Sequence, residues 1–305
     1  MNEVVGGLGL AKARSVFEKL KSSERSPHAI LLYGPVGAGK REFCHQITEH
    51  WLGTERAVSA FRRGMNPDVF LIQPFGPSRN ILVAHMVKPQ PEHKEIKVHL
   101  SDFTPTPPLY SNHKVVIIED ADRMNDAACN VLLKPLEEPH LFVRYILTTS
   151  VLSRIRPTIL SRCLAVNCEL PTPDEISQHF PTLHHGLRAL GEGSPGRLAE
   201  IEKNPELYQQ VLDLADLIAT GTAIDVLYLS ERTKELSDAF SQLTPKESKR
   251  TINANVLEML AISLSRLHPN QVHALQVIID AHRKVIGNAN SVLVFDHIYA
   301  QILIR

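Results

Sequence analysis

The strongest constraint on how this chain folds is the run Ala29-Ile30-Leu31-Leu32-Tyr33, followed at once by Gly34-Pro35-Val36-Gly37-Ala38-Gly39-Lys40-Arg41. A short apolar run closed by Gly-Pro suits a strand buried on both faces of a parallel sheet. From 42 to 52 the apolar residues Phe43, Ile47 and Trp51 recur at helical spacing, which predicts a helix with one inward face. Strand, glycine loop, helix is the context a phosphate-binding loop requires.

Further apolar runs predict strands at 69–73, 114–118, 143–149 and 164–168. Helices are expected at 11–24, with Ala11, Val16, Phe17 and Leu20 inward, and from Asp126 to the Glu138-Pro139 stop, where Asn125 can cap the first turn. Pro135 falls inside the latter helix, removes a backbone hydrogen bond, and is expected to kink it. Residues 158–163 read as a short helix or turn. The proline-rich stretch 74–113 is hard to read, with a helix or strand expected near 96–103. Strands alternating with helices imply a parallel α/β sheet flanked on both faces.

After Leu170-Pro171-Thr172-Pro173 the character changes. From Asp174 onward no alternating run appears, and Gly191-Glu192-Gly193, Asn204-Pro205, Leu243-Thr244-Pro245 and His268-Pro269 punctuate a helical sequence. The expected division is an α/β domain over 1–169, a small helical module over 170–205 and an all-α domain over 206–305.

Composition narrows the function. At 305 residues, two or three domains are expected. Thirty-three basic residues balance thirty-three acidic ones, so the chain has no basic field of its own with which to hold nucleic acid. No apolar stretch approaches the roughly 18 residues a membrane span needs, and the N-terminus does not resemble a signal peptide. The cytoplasm is the expected compartment, and no membrane partner is expected. Cys44, Cys129, Cys163 and Cys168 form no Cys-x-x-Cys pair and read as buried lone thiols. His28, His184 and His185 lack partners at metal-ligand spacing.

A phosphate loop of this kind normally does three things. Its amides cradle phosphates, its lysine neutralises them, and a following Ser or Thr hydroxyl holds Mg²⁺. Gly34, Gly37, Gly39 and Lys40 keep the first two functions. Arg41 stands at the hydroxyl position, has no acceptor to offer a cation, and adds positive charge there. The strand Val115-Val116-Ile117-Ile118 ends in Glu119-Asp120, the reverse of the usual Asp-Glu order, with Asp122 just beyond. A metal-facing group one methylene too long and a water-activating group one too short cost orders of magnitude in rate. Productive hydrolysis of Mg·ATP is therefore not expected. Whether ATP or ADP rests at the loop without turnover stays open at this point.

The run from Val115 through Lys134, then Leu136-Glu137-Glu138-Pro139, resembles the AAA+ clamp-loader subunits of bacterial DNA polymerase III. Ser161-Arg162-Cys163 is similar to their arginine motif, with Pro157-Thr158-Ile159 just upstream, and Gly193-Ser194-Pro195-Gly196-Arg197 resembles their sensor-2 segment. Asn288-Ala289-Asn290 looks like part of their helical collar. The resemblance implies an AAA+ domain, a helical lid and an all-α collar that joins a ring of subunits. It implies that Arg162, with Ser161 beside it, reaches the γ-phosphate held by an adjacent ATPase subunit, and that Arg197 belongs to the chain's own degenerate nucleotide site. The implied partners are the delta and gamma/tau subunits and, through the assembled complex, the sliding clamp and the backbone of primed DNA. Many relatives carry a four-cysteine zinc module; residues 53–66 contain no cysteine, so zinc is not expected. Two other readings compete: an active gamma-type ATPase, and an AAA+ adaptor outside the clamp loader.

Overall fold

Alternate residues of the central strands feed two separate apolar layers, and this makes the first half of the chain a sandwich of helix, sheet and helix. The computed structural model describes residues 8–21, 27–74, 80–87, 99–221, 226–245, 247–287 and 291–303. The chain divides into two compact units, Met1–Glu175 and Ile176–Arg305.

The first unit contains α1 (Ala11–Lys21), β1 (Ala29–Tyr33), α2 (Lys40–Leu52), α3 (Glu55–Arg62), β2 (Val69–Ile72), α4 (Leu100–Phe103), β3 (Lys114–Ile118), α5 (Asp126–Glu137), β4 (Val143–Thr149), α6 (Pro157–Leu160) and β5 (Leu164–Asn167). The five strands pair in parallel in the order β2-β3-β4-β1-β5. Ile30, Leu32, Val115, Ile117 and Ile146 pack with Phe17 of α1 and with Phe43, Ile47 and Trp51 of α2 on one face. Leu31, Val116, Ile118, Tyr145 and Leu147 pack with Ala128, Leu132 and Leu136 of α5 on the other. The sheet is covered on both faces, as the unbroken apolar runs predicted.

Several expectations need adjustment. In α1 the inward residues are Ala13 and Phe17, with Leu20 half-buried; Ala11 and Val16 face out. The expected last turn of that helix, at 22–24, lies outside the described residues, as do 96–98 and Asn288-Ala289-Asn290. Within 96–103 the described element is the single helical turn α4. Helix α5 starts where Asn125 Oδ1 accepts the Ala128 N–H at 2.9 Å, and it runs unbroken through Pro135 to Glu137. Pro135 lies in the final turn, so only one backbone bond near the helix end is lost.

The stretch before β3 is pinned by an acid that sequence patterning did not single out. Asp68 is fully buried and accepts the amides of Leu109, Tyr110 and Ser111 at 2.7, 2.7 and 3.0 Å. Cys44, Cys129 and Cys168 are buried, whereas Cys163 is only half-buried. His28 and His184 are satisfied by ordinary hydrogen bonds, to Leu136 O at 2.9 Å and to Gln209 Oε1 at 2.7 Å.

Helix α7 (Pro173–His179) crosses the boundary between the units. The second unit holds α8 (His185–Leu190), α9 (Pro195–Lys203), α10 (Pro205–Thr220), α11 (Val226–Leu243), α12 (Lys249–Leu267), α13 (Val272–Ile286) and α14 (Ser291–Leu303). Helix α12 is its centre and packs against α8, α10, α11 and α13. Among the described residues no helix is long and apolar enough to cross a membrane.

Candidate functional site

The glycine loop is shaped by what lies behind it. Gly34 sits at the end of β1 with φ 149°, and a Cβ there would lie 2.0 Å from Cys168 O just past β5. Gly37 and Gly39 both have left-handed backbones, at φ 82° and 73°, a region that costs any residue with a Cβ. Gly39 is the N-cap of α2, and Lys40 is its first residue.

Lys40 closes the loop on itself. Its Nζ donates to Gly34 O and to Pro35 O, both at 2.7 Å. Burial holds its pKa below the ordinary lysine value, opposed in smaller part by Cys168, Asp120 and Asp122. Lys40 and the three glycines fit a phosphate tail in charge and in backbone geometry. The ammonium has only to exchange two carbonyls for phosphate oxygens.

The carboxylates at the end of β3 are already engaged. Glu119 Oε1 pairs with Arg41 Nε at 3.3 Å, and Glu119 Oε2 accepts from Gln73 Nε2 at 2.7 Å. Asp120 adopts a left-handed backbone (φ 49°, ψ 52°), its N–H donates to Thr148 Oγ1 at 3.2 Å, and its carboxylate lies 3.7 Å from Arg123. Thr149 Oγ1 donates to Asp122 Oδ1 at 2.6 Å. The donor set does not suit a divalent metal: a guanidinium stands at the usual hydroxyl position and is paired with the nearest carboxylate. Beneath the loop, burial pushes the Cys44 thiol up to about 12, with the Glu119 charge a smaller contributor.

Gly34, Gly37, Gly39, Lys40, Arg41, Glu119 and Asp120 thus gather at the carboxyl ends of β1 and β3, where ligands of open parallel sheets bind. Gln73, Thr148 and Thr149 complete the cluster, and none of the three stands out as a site residue in the sequence. Polar residues ending an apolar strand are the available signal, as at Thr148-Thr149, the last two residues of β4.

Ser161 and Arg162 lie elsewhere on the same unit, just after α6. Ser161 Oγ donates to Thr158 O at 3.1 Å. Arg162 Nη1 donates to Thr158 O at 2.8 Å and to Ser161 Oγ at 3.2 Å, and Nη2 is paired with Glu137. Burial pushes the neighbouring Cys163 thiol up to about 12. Arg197 belongs to the second unit. It pairs there with Glu192 at 3.3 Å and with Glu258 of α12 at 3.2 Å.

Residues 9–171, more than half of the chain, match the family described as DNA polymerase III, delta subunit. The chain belongs to that family, within the AAA+ clamp-loader group. It is 31% identical over 208 residues to the DNA polymerase III subunit delta′ of Pseudomonas aeruginosa, covering 60% of this chain and 58% of that one. To subunit delta′ of Escherichia coli it is 28% identical over 205 residues, again covering 60% and 58%. The match therefore spans less than two thirds of the length of these curated family members. A solved DNA polymerase III gamma subunit-related protein from Thermotoga maritima superposes with a TM-score of 0.50 at 20% identity, over 96% of this chain and 99% of that one. At that identity the likeness speaks for the fold alone, and the fold agrees with the expected parallel sheet followed by helices.

Proposed function

We propose that this chain is a subunit of the DNA polymerase III clamp loader, helps place the sliding clamp on primed DNA, does not hydrolyse ATP itself, and lends Arg162 to the nucleotide of a neighbouring ATPase subunit. Its partners on this reading are the delta and gamma/tau subunits, with DNA met only through sequence-blind backbone contacts. The helical part is proposed to serve as a lid over 170–205 and a ring-forming collar over 206–305.

The observation that carries the non-hydrolytic part is the Arg41–Glu119 pair at 3.3 Å. Glu119 is the first of the two carboxylates that end β3, where the strand motif would face a metal, and its side chain keeps only 19% of its exposure. The guanidinium brings a permanent positive charge to that place and offers no lone pair. Lys40 and the glycines can still hold phosphates, so nucleotide can rest at the loop without being turned over.

The purified chain alone is expected to show no magnesium-dependent ATP turnover, measured as phosphate release. Turnover that Lys40→Ala abolishes would instead establish the gamma-type reading. A pull-down that recovers no clamp-loader subunits would favour an adaptor outside the complex.

Arg41→Thr gives a sharper test. It returns a hydroxyl to the first turn of α2 and releases Glu119. Binding of a fluorescent ADP to the wild-type chain is expected to be unchanged by EDTA, whereas binding to Arg41→Thr should strengthen with added Mg²⁺. Magnesium-strengthened binding to the wild type would contradict the assignment.

A further inference from the structure

Arg162 is held by acceptors of two different kinds. Thr158 O and Ser161 Oγ belong to its own turn, are uncharged, and aim the side chain through Nη1. Glu137 comes from another element, as the last residue of α5, and brings a full negative charge to Nη2. Its place is fixed from below. Leu136 beside it is buried, and Leu136 O is bonded to His28 Nε2 at 2.9 Å. The other end of the α6 segment is tied to the same helix, through Arg156 Nη2 to Asp126 Oδ1 at 2.5 Å and Nη1 to Asn130 Oδ1 at 2.9 Å.

The third nitrogen closes one route to the guanidinium. Arg162 Nε is buried and has no hydrogen-bond partner, so an anion from outside must use the Nη1–Nη2 edge. There it meets a guanidinium whose charge is already balanced by a carboxylate. A phosphate brought to that edge is repelled by Glu137 until the carboxylate turns away. The carboxylate has room to turn away, because the Glu137 side chain retains 47% exposure.

We propose that Glu137 is a displaceable counter-ion for Arg162. It neutralises the guanidinium while the site beside it is empty, and it yields to the terminal phosphate of a nucleotide bound by an adjacent subunit. The proposal rests on the reading of Arg162 as a residue supplied in trans. Glu137 is on this view a positioning residue, since it touches neither nucleotide nor reacting atoms. An exposed ion pair of this kind contributes at most about fivefold to an equilibrium constant, which sets the size of the effect.

The test uses the assembled complex with Glu137→Gln, Arg162→Ala and the double variant, and separates KM for ATP from kcat. Glutamine keeps the size and an acceptor oxygen but removes the charge. Glu137→Gln is expected to lower KM about two- to fivefold with kcat unchanged. The gap from wild type should narrow as salt rises, because the competition is between charges. In the Arg162→Ala background the glutamine substitution should have no effect. If Arg162→Ala slows turnover while Glu137→Gln leaves KM unchanged or raises it, the counter-ion role is overturned and the trans role of Arg162 survives. If Arg162→Ala changes nothing, both fall together.

Discussion

Arg162→Ala in the assembled complex is expected to slow ATP turnover at the served site far more than it disturbs the fold. An arginine supplied across a boundary contributes about 10³ to 10⁵ in rate in well-studied GTPases, because the charge developing on the transferred phosphoryl group meets a fixed guanidinium. The loss in whole-complex turnover is smaller, since other sites in a multi-subunit loader keep their own arginines. Stability should change little. Arg162 and Glu137 keep 31% and 47% of their side-chain exposure, and an ion pair so solvated contributes about 0–1 kcal/mol. Arg162→Lys is the informative companion: lysine keeps the charge but not the planar fork that Thr158 O and Ser161 Oγ aim, so it should recover only a small part of the lost rate. Steady-state ATPase assays on complexes of matched composition check both. A mutant complex that turns over ATP and loads clamps at the wild-type rate would end the assignment.

The elements legible in the sequence are those whose cause is local. β1, Val115–Ile118 of β3 and Tyr145–Leu147 of β4 are apolar runs between polar residues, and their burial on both faces fits strands at the centre of a sheet. Asn125 marks the start of α5 because its side chain caps an amide three residues on. Where the cause is distant the sequence says less. β2 is an edge strand, Leu71 on it keeps 46% exposure, and its apolar run overstates how deeply it sits. Helix α3 gives little signal in the sequence, since its inward residues Ala57 and Ala60 are small and make a weak pattern among charged neighbours. The glycine loop, Arg41 and Glu119 could be found by motif, but not the ion pair between them, which depends on β1 and β3 lying in one sheet. The same holds for Glu137 and Arg162: 25 residues apart in the chain, they meet because α5 and α6 pack on the same face of the sheet.

Gly34→Ala is expected to be the most damaging small substitution in the loop. The new Cβ would stand 2.0 Å from Cys168 O and 3.0 Å from Cys168 C, and both are backbone atoms that cannot rotate aside. Cys168 is itself held, because its N–H donates to Tyr33 O at 2.7 Å, the residue preceding Gly34. Relief therefore requires β1 and β5 to part where Val166 and Cys168 are buried. A backbone at φ 149° adds strain for any residue with a side chain. Strain and overpacking each cost about 1–3 kcal/mol, so a loss on the order of 2–6 kcal/mol is expected. Gly64→Ala is a clash-free reference at positive φ, in the left-handed helical region rather than at φ 149°. That glycine has φ +70° with nothing within 4 Å of the added Cβ, so it should show the strain without the clash. Trp51, the single tryptophan of the chain and buried in the sheet unit, reports unfolding of that unit in urea by fluorescence. If the two variants shift the Trp51 midpoint equally, the close approach of Cys168 is not what demands glycine at position 34, and the loop owes its shape to backbone angles alone.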